Sequence, residues 1–89
     1  MRITLKLLPP YRKAGDAGEY SLTLPEDVVS LKELVSYLSR EKADILAFEL
    51  VDRQGVLTAE FLVNGKHEPV EHTLNDGDAI SVIPYICGG

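Results

Sequence analysis

Only one stretch of this chain carries a helical period, and strand-like alternation bounds it on both sides. Ser30 stands three residues before Glu33, the spacing of a capping box, in which each side chain satisfies the other's free backbone N–H. Val29 and Leu34 are placed to form a hydrophobic staple across that cap. Leu31, Leu34, Val35 and Leu38 then follow the i, i+3, i+4, i+7 stripe of a helix buried on one face. The spacing predicts a helix from Leu31 to about Lys42, lying across a sheet. A chain of 89 residues with one helix has to build the rest of its core from strands.

The strands can be read from two-residue alternation. Ile3, Leu5 and Leu7 alternate with Arg2, Thr4 and Lys6 until Pro9-Pro10, which cannot donate to a ladder. Tyr11 to Gly18 reads as a loop, and Tyr20, Leu22 and Leu24 form a second strand that Pro25 closes. Two neighbouring strands joined by one loop predict an N-terminal hairpin. Beyond the helix, residues 43–55 allow a second short helix or an extended segment turning at Asp52-Arg53-Gln54-Gly55. Leu57, Ala59, Phe61 and Val63 then share one strand face, and Asn64-Gly65 is a tight-turn signal because both residues tolerate positive φ. A short strand through Val70 follows. Asp76-Gly77-Asp78 makes a further turn, and Ala79 to Pro84 forms the last strand with Ile80 and Val82 on one side. One helix packed on one face of a sheet is an α+β architecture.

Composition narrows the class of partner. Nine basic against fourteen acidic residues give a formal charge of −5, which repels phosphate backbones and argues against nucleic acid. Arg2, Lys6, Arg12 and Lys13 read as a solvated strand edge and loop. Cys87 is the only cysteine, so the chain has no internal disulfide framework. No apolar run is long enough for a signal peptide or a membrane span, and a reducing cytoplasm is the expected compartment. His67, His72 and Cys87 match no compact zinc pattern, and no metal site is expected. No convergent acid, base and nucleophile set is present, so a stand-alone enzyme is not expected.

The remaining feature is the ending. Val63-Asn64-Gly65, then Leu74 with Asp76-Gly77-Asp78, then Ile80 and Val82, are followed by terminal Gly88-Gly89, with nine residues between Asp78 and Gly88. On these residues the chain resembles the β-grasp sulfur carriers, the family of the molybdopterin synthase small subunit (MoaD) and the thiamine-pathway carrier (ThiS). The resemblance implies a ubiquitin-like β-grasp, with a mixed four- to five-stranded sheet and one main helix on one face. It also implies a domain over residues 1–84 and a flexible Gly-Gly tail over 85–89. The length and Pro84 lean toward MoaD, whereas Tyr85 and Cys87 depart from its pattern.

The same resemblance implies a chemistry. An E1-like adenylating enzyme, using ATP and magnesium, activates the Gly89 carboxylate, and sulfur then replaces the adenylate to give a thiocarboxylate. A partner consumes that sulfur, either the large subunit of a molybdopterin synthase or another acceptor enzyme. The chain itself is then a non-catalytic carrier or a synthase small subunit. Gly88 and Gly89 suit this role because residues without side chains can enter a narrow channel in any backbone conformation. The last eleven residues contain no acidic side chain to repel ATP phosphates. Phe61, Val63, Ile83, Tyr85, Ile86 and Cys87 are the partner-binding candidates, although Phe61 also fits the core. Cys87 reads as a tolerated small apolar residue, or else as a thiol that reacts with a partner or with the thiocarboxylate. The alternatives are a ubiquitin-like modifier conjugated through Gly89, a thiamine-pathway carrier, and a binding module that kept only the fold.

Overall fold

The computed structural model describes residues 1–84. Five strands and one α-helix follow in the order β1 (Arg2–Leu7), β2 (Glu19–Thr23), α1 (Leu31–Glu41), β3 (Ala59–Val63), β4 (Lys66–Glu68) and β5 (Ala79–Pro84), with a 3₁₀ turn at Ala43–Ile45 after the helix. They form one sheet of order β2-β1-β5-β3-β4. β1 and β5 run parallel, while β1–β2, β3–β5 and β3–β4 are antiparallel. The sheet is therefore mixed, and the last strand lies in its middle. This is the ubiquitin-like β-grasp.

One face of the sheet makes the core. Ile3, Leu5 and Leu7 of β1, Phe61 and Val63 of β3, and Ile80 and Val82 of β5 are buried together with Leu31, Leu34, Val35 and Leu38 of the helix. The period-2 and period-3.6 stripes meet, as their spacing requires. Leu31, Leu34 and Leu38 are wholly buried; truncating any one to Ala costs ~2–5 kcal/mol in a core that cannot collapse around it.

The helix start departs from expectation in two respects. Ser30 Oγ accepts from Glu33 N–H, but Glu33 Oε1 accepts from the backbone of Val29, one residue upstream of the cap. The staple is absent, because Val29 is 45% exposed while Val28 is buried. The physical reason is the extended backbone before the helix. Ser30 bridges to Thr73 and the Val29 carbonyl accepts from Leu74 N–H. Successive side chains in such a segment point to opposite sides, so Val28 turns inward and Val29 outward. The helix itself ends at Glu41, with the Lys42 N–H still bonded to the Leu38 carbonyl.

Both alternatives for the middle segment are present in sequence order. The 3₁₀ turn comes first, and an extended excursion then reverses at Asp52–Gly55, where Asp52 Oδ1 accepts from Gln54 and Val56 N–H. β3 starts at Ala59, leaving Leu57 in a single bridge to Val51, and β4 stops at Glu68, short of Val70.

Candidate functional site

β5 is the last described strand and lies at the centre of the sheet, and its two ends are held by different means. At its start, the two turns noticed in the sequence are joined into one device. Asn64 and Gly65 have φ of 54° and 83°, the pair of positive values of a two-residue hairpin turn. Asn64 also donates from its backbone N–H to the Ala79 carbonyl, accepts Ala79 N–H on Oδ1, and donates from Nδ2 to Asp78 Oδ1. The other Asp78 oxygen accepts Asn75 N–H at 2.8 Å. Arg2 N–H donates to Asp76 Oδ1, and Gly77 N–H to the Arg2 carbonyl. Asp78 is 7% exposed, and its carboxylate meets the rule that a buried polar group is hydrogen-bonded.

At the other end, the described part of β5 closes at Pro84, opposite Ala59 of β3. Along β1, Thr4 N–H reaches the Asp78 carbonyl and Leu8 N–H reaches the Val82 carbonyl. The next donor in that parallel rhythm is residue 10, which is Pro10 and has no N–H. Along β3, the pair Asn64–Ala79 is hydrogen-bonded, so the alternation of an antiparallel ladder puts the next bonding positions at Leu62, Glu60 and Thr58. Thr58 bonds to other segments through three of its atoms. Its N–H donates to the Leu50 carbonyl at 2.7 Å, and its carbonyl accepts the Tyr11 hydroxyl at 2.7 Å. Its Oγ1 donates to the Glu49 carbonyl. Ala47 N–H binds the Tyr11 carbonyl, so residues 47–50 bond to both Tyr11 and Thr58 at this end of the sheet.

Tyr11 is the residue this arrangement depends on, and the sequence placed it in a loop. It is almost fully buried. The signal available was a large amphipathic side chain in an otherwise polar stretch, a residue that buries its ring and finds a partner for its hydroxyl. The loop is pinned further along, where Asp16 accepts from Gly18 N–H and from the Tyr20 hydroxyl. Those hydrogen bonds, the Gly18 one first, lower the Asp16 carboxyl from its ordinary value, and the Asp16 bond raises that of Tyr20. Gly18 has φ of +76°, and a Cβ there would lie 2.7 Å from the Leu7 carbonyl. Only glycine fits.

Of the docking candidates, Phe61 and Val63 are corrected to core, since the strand alternation turns both toward the helix. Ile83 is half-buried on the opposite face, beside Glu60 and in the same layer as Leu62 and Ser81. His67 lies across from Leu62 and pairs with Glu60 at 3.4 Å, while His72 pairs with Glu68 at 3.6 Å. Tyr85, Ile86, Cys87, Gly88 and Gly89 lie outside the described residues. No helix among the described residues is long and apolar enough to cross a membrane.

Comparison with known proteins decides the family. The model of the ThiS family matches residues 10–89, from the proline that ends the β1 ladder to the final glycine. The chain belongs to the ThiS family. Solved structures carry the same fold at low identity. The putative subunit 1 of the molybdopterin converting factor from Pyrococcus furiosus is 22% identical, with a TM-score of 0.67 over 96% of this chain and 98% of that one. SAMP1 of Haloferax volcanii, a small archaeal modifier protein, is 16% identical, with a TM-score of 0.70 over the whole of both chains. A complex of subunits 1 and 2 of the molybdopterin-converting factor from Helicobacter pylori matches at 20% identity and a TM-score of 0.60, also over the whole of both chains. The curated proteins include no match.

Proposed function

We propose that this ThiS-family member is a sulfur carrier that works through Gly89, with molybdopterin formation as its pathway. The observation that carries the proposal is the extent of the family match, which runs through Gly88 and Gly89 to the last residue.

The chemistry balances with two co-substrates. A Gly89 carboxylate oxygen attacks the α-phosphorus of magnesium-bound ATP in the E1-like adenylating enzyme, and pyrophosphate leaves. A sulfide-level nucleophile then attacks the acyl carbon and AMP leaves, giving a thiocarboxylate. The acyl-adenylate step matters because a carboxylate is a poor electrophile and AMP is a good leaving group. The acceptor is the large subunit of a molybdopterin synthase; the subunit 1–subunit 2 complex with the same fold supports that choice. On the surface, Ile83 and the half-buried Leu62 offer an apolar patch on the open sheet face for that contact.

Intact mass spectrometry tests the proposal. Incubation with ATP, magnesium, the adenylating enzyme and a sulfur source is expected to replace one oxygen of the C-terminus by sulfur, and deletion of Gly89 to abolish the change. Conversion of the wild type into conjugates on lysine without a thiocarboxylate would favour the modifier reading, which the likeness to SAMP1 supports. Absence of both products with a competent enzyme would refute the proposal.

A further inference from the structure

Phe48 is 53% exposed, yet it is not loosely held. Its ring meets the Tyr11 ring edge-on, with centroids 6.2 Å apart and planes at 77°. Tyr11 is buried and tied through its hydroxyl to Thr58. An aromatic side chain that is fixed from below and open above loses little entropy on binding, which is the character of an interface anchor. Phe48 is also the shared wall of two grooves. One, of about 410 Å³, is lined by Leu46, Leu50 and Val51 among others. The second, of about 340 Å³, includes Glu49, Asp52 and Thr58.

The position of this feature names its occupant. Pro84, the last described residue, is paired with Ala59, and the adjacent Thr58 both lines the second groove and bonds to Glu49. Five residues follow Pro84, and five residues span at most ~17 Å. Any enzyme that holds the Gly89 carboxylate must therefore seat itself on the domain around Pro84, where Phe48 stands. Glu49 and Asp52 on the groove walls outweigh the single cation there, Arg53, and leave the rim net negative. That rim disfavours the chain's own C-terminal carboxylate and suits a partner carrying cations.

We infer that Phe48, with the acidic rim of Glu49 and Asp52, is the docking anchor for the enzyme that adenylates Gly89. This rests on the proposed function. The occupant presents an apolar pocket to the Phe48 ring and basic side chains to the two carboxylates. The contact lies at the end of the sheet where Pro84 pairs with Ala59, apart from the open-face patch of Ile83 and Leu62. Docking there would set the distance over which the last five residues reach the nucleotide.

ATP–pyrophosphate exchange with the full chain as varied substrate tests the inference. Phe48→Ala is expected to raise KM about tenfold while leaving kcat at saturation within about twofold. Val29→Ala is the control. It removes an equally solvent-facing apolar side chain beside Leu74, at the end where β5 begins, and should leave KM unchanged. Glu49→Lys does not disturb the Tyr11–Phe48 contact and should raise KM while flattening its dependence on salt. Thermal melts confirm that each variant is folded at the assay temperature. An unchanged KM for Phe48→Ala overturns the anchor, and an unchanged KM for Glu49→Lys overturns the cationic partner. A lower KM for Phe48→Ala would mean that the chain's own terminus occupies the groove, which also overturns it. If the wild type supports no exchange, the carrier function itself falls and the inference falls with it.

Discussion

The two ends of β5 are held by opposite means. At its start, four side-chain hydrogen bonds from Asn64, Asp76 and Asp78 lock the strand to both turns and to Arg2. At its finish, the hydrogen bonds belong to the neighbours: Tyr11, Leu50 and Thr58 satisfy one another, and Pro10 offers nothing. The first arrangement sets the register of the central strand. The second holds residues 47–50 against Tyr11 and Thr58.

The largest expected effect on this contrast comes from the locked end. Asp78→Ala strands Asn64 Nδ2 and Asn75 N–H where the carboxylate was buried, and should cost about 2–4 kcal/mol. The loss would appear as a lower midpoint in urea with an unchanged slope. A cost below about 0.5 kcal/mol would show that the lock is not what holds β5 in register.

Tyr11→Phe is the smaller probe, aimed at the other end. It removes one hydroxyl from the Thr58 carbonyl and should cost about 1 kcal/mol. Thr58 keeps its N–H bond to Leu50, so hydrogen exchange should show increased opening across residues 47–58 and none at the Asn64 turn. Equal opening at both ends would break the comparison, because the ends would then be one cooperative unit.

The weakest effect concerns the loop that carries Tyr11. The Asp16 carboxyl is lowered in the folded chain by its Gly18 and Tyr20 hydrogen bonds. Its contribution is therefore present above the unfolded value near 3.8 and lost as the pH falls through the lower folded value. Carboxyl NMR titration should show Asp16 moving back toward its ordinary value in Tyr20→Phe. No movement would mean that the Gly18 N–H alone sets it.

How much of this was legible depends on how local the cause is. The helix, both turns and the alternation of β1, β3 and β5 come from residues adjacent or nearly adjacent in sequence, and each appeared where its pattern placed it. Phe61 shows the limit of the pattern: alternation places it on a face but does not say which face is covered. Val29 shows another, since a staple was expected from spacing and the extended pairing of Ser30 with Thr73 turned it outward. Tyr11 and Phe48 gave little signal, because their roles arise from Thr58 and from each other, residues 47 and 37 positions further along the chain.

By itself, the sequence determined one helix on one side of a sheet, two glycine-bearing turns that launch the last strand, and an ending of two glycines. These follow from backbone stereochemistry and hydrophobic period, which act over a few residues. Only the tertiary structure decided that the last described strand lies in the middle of the sheet, and that Thr58 N–H bonds to Leu50. The reason is that a backbone N–H makes one good hydrogen bond. Which acceptor Thr58 finds is settled only when segments far apart in the chain are packed together.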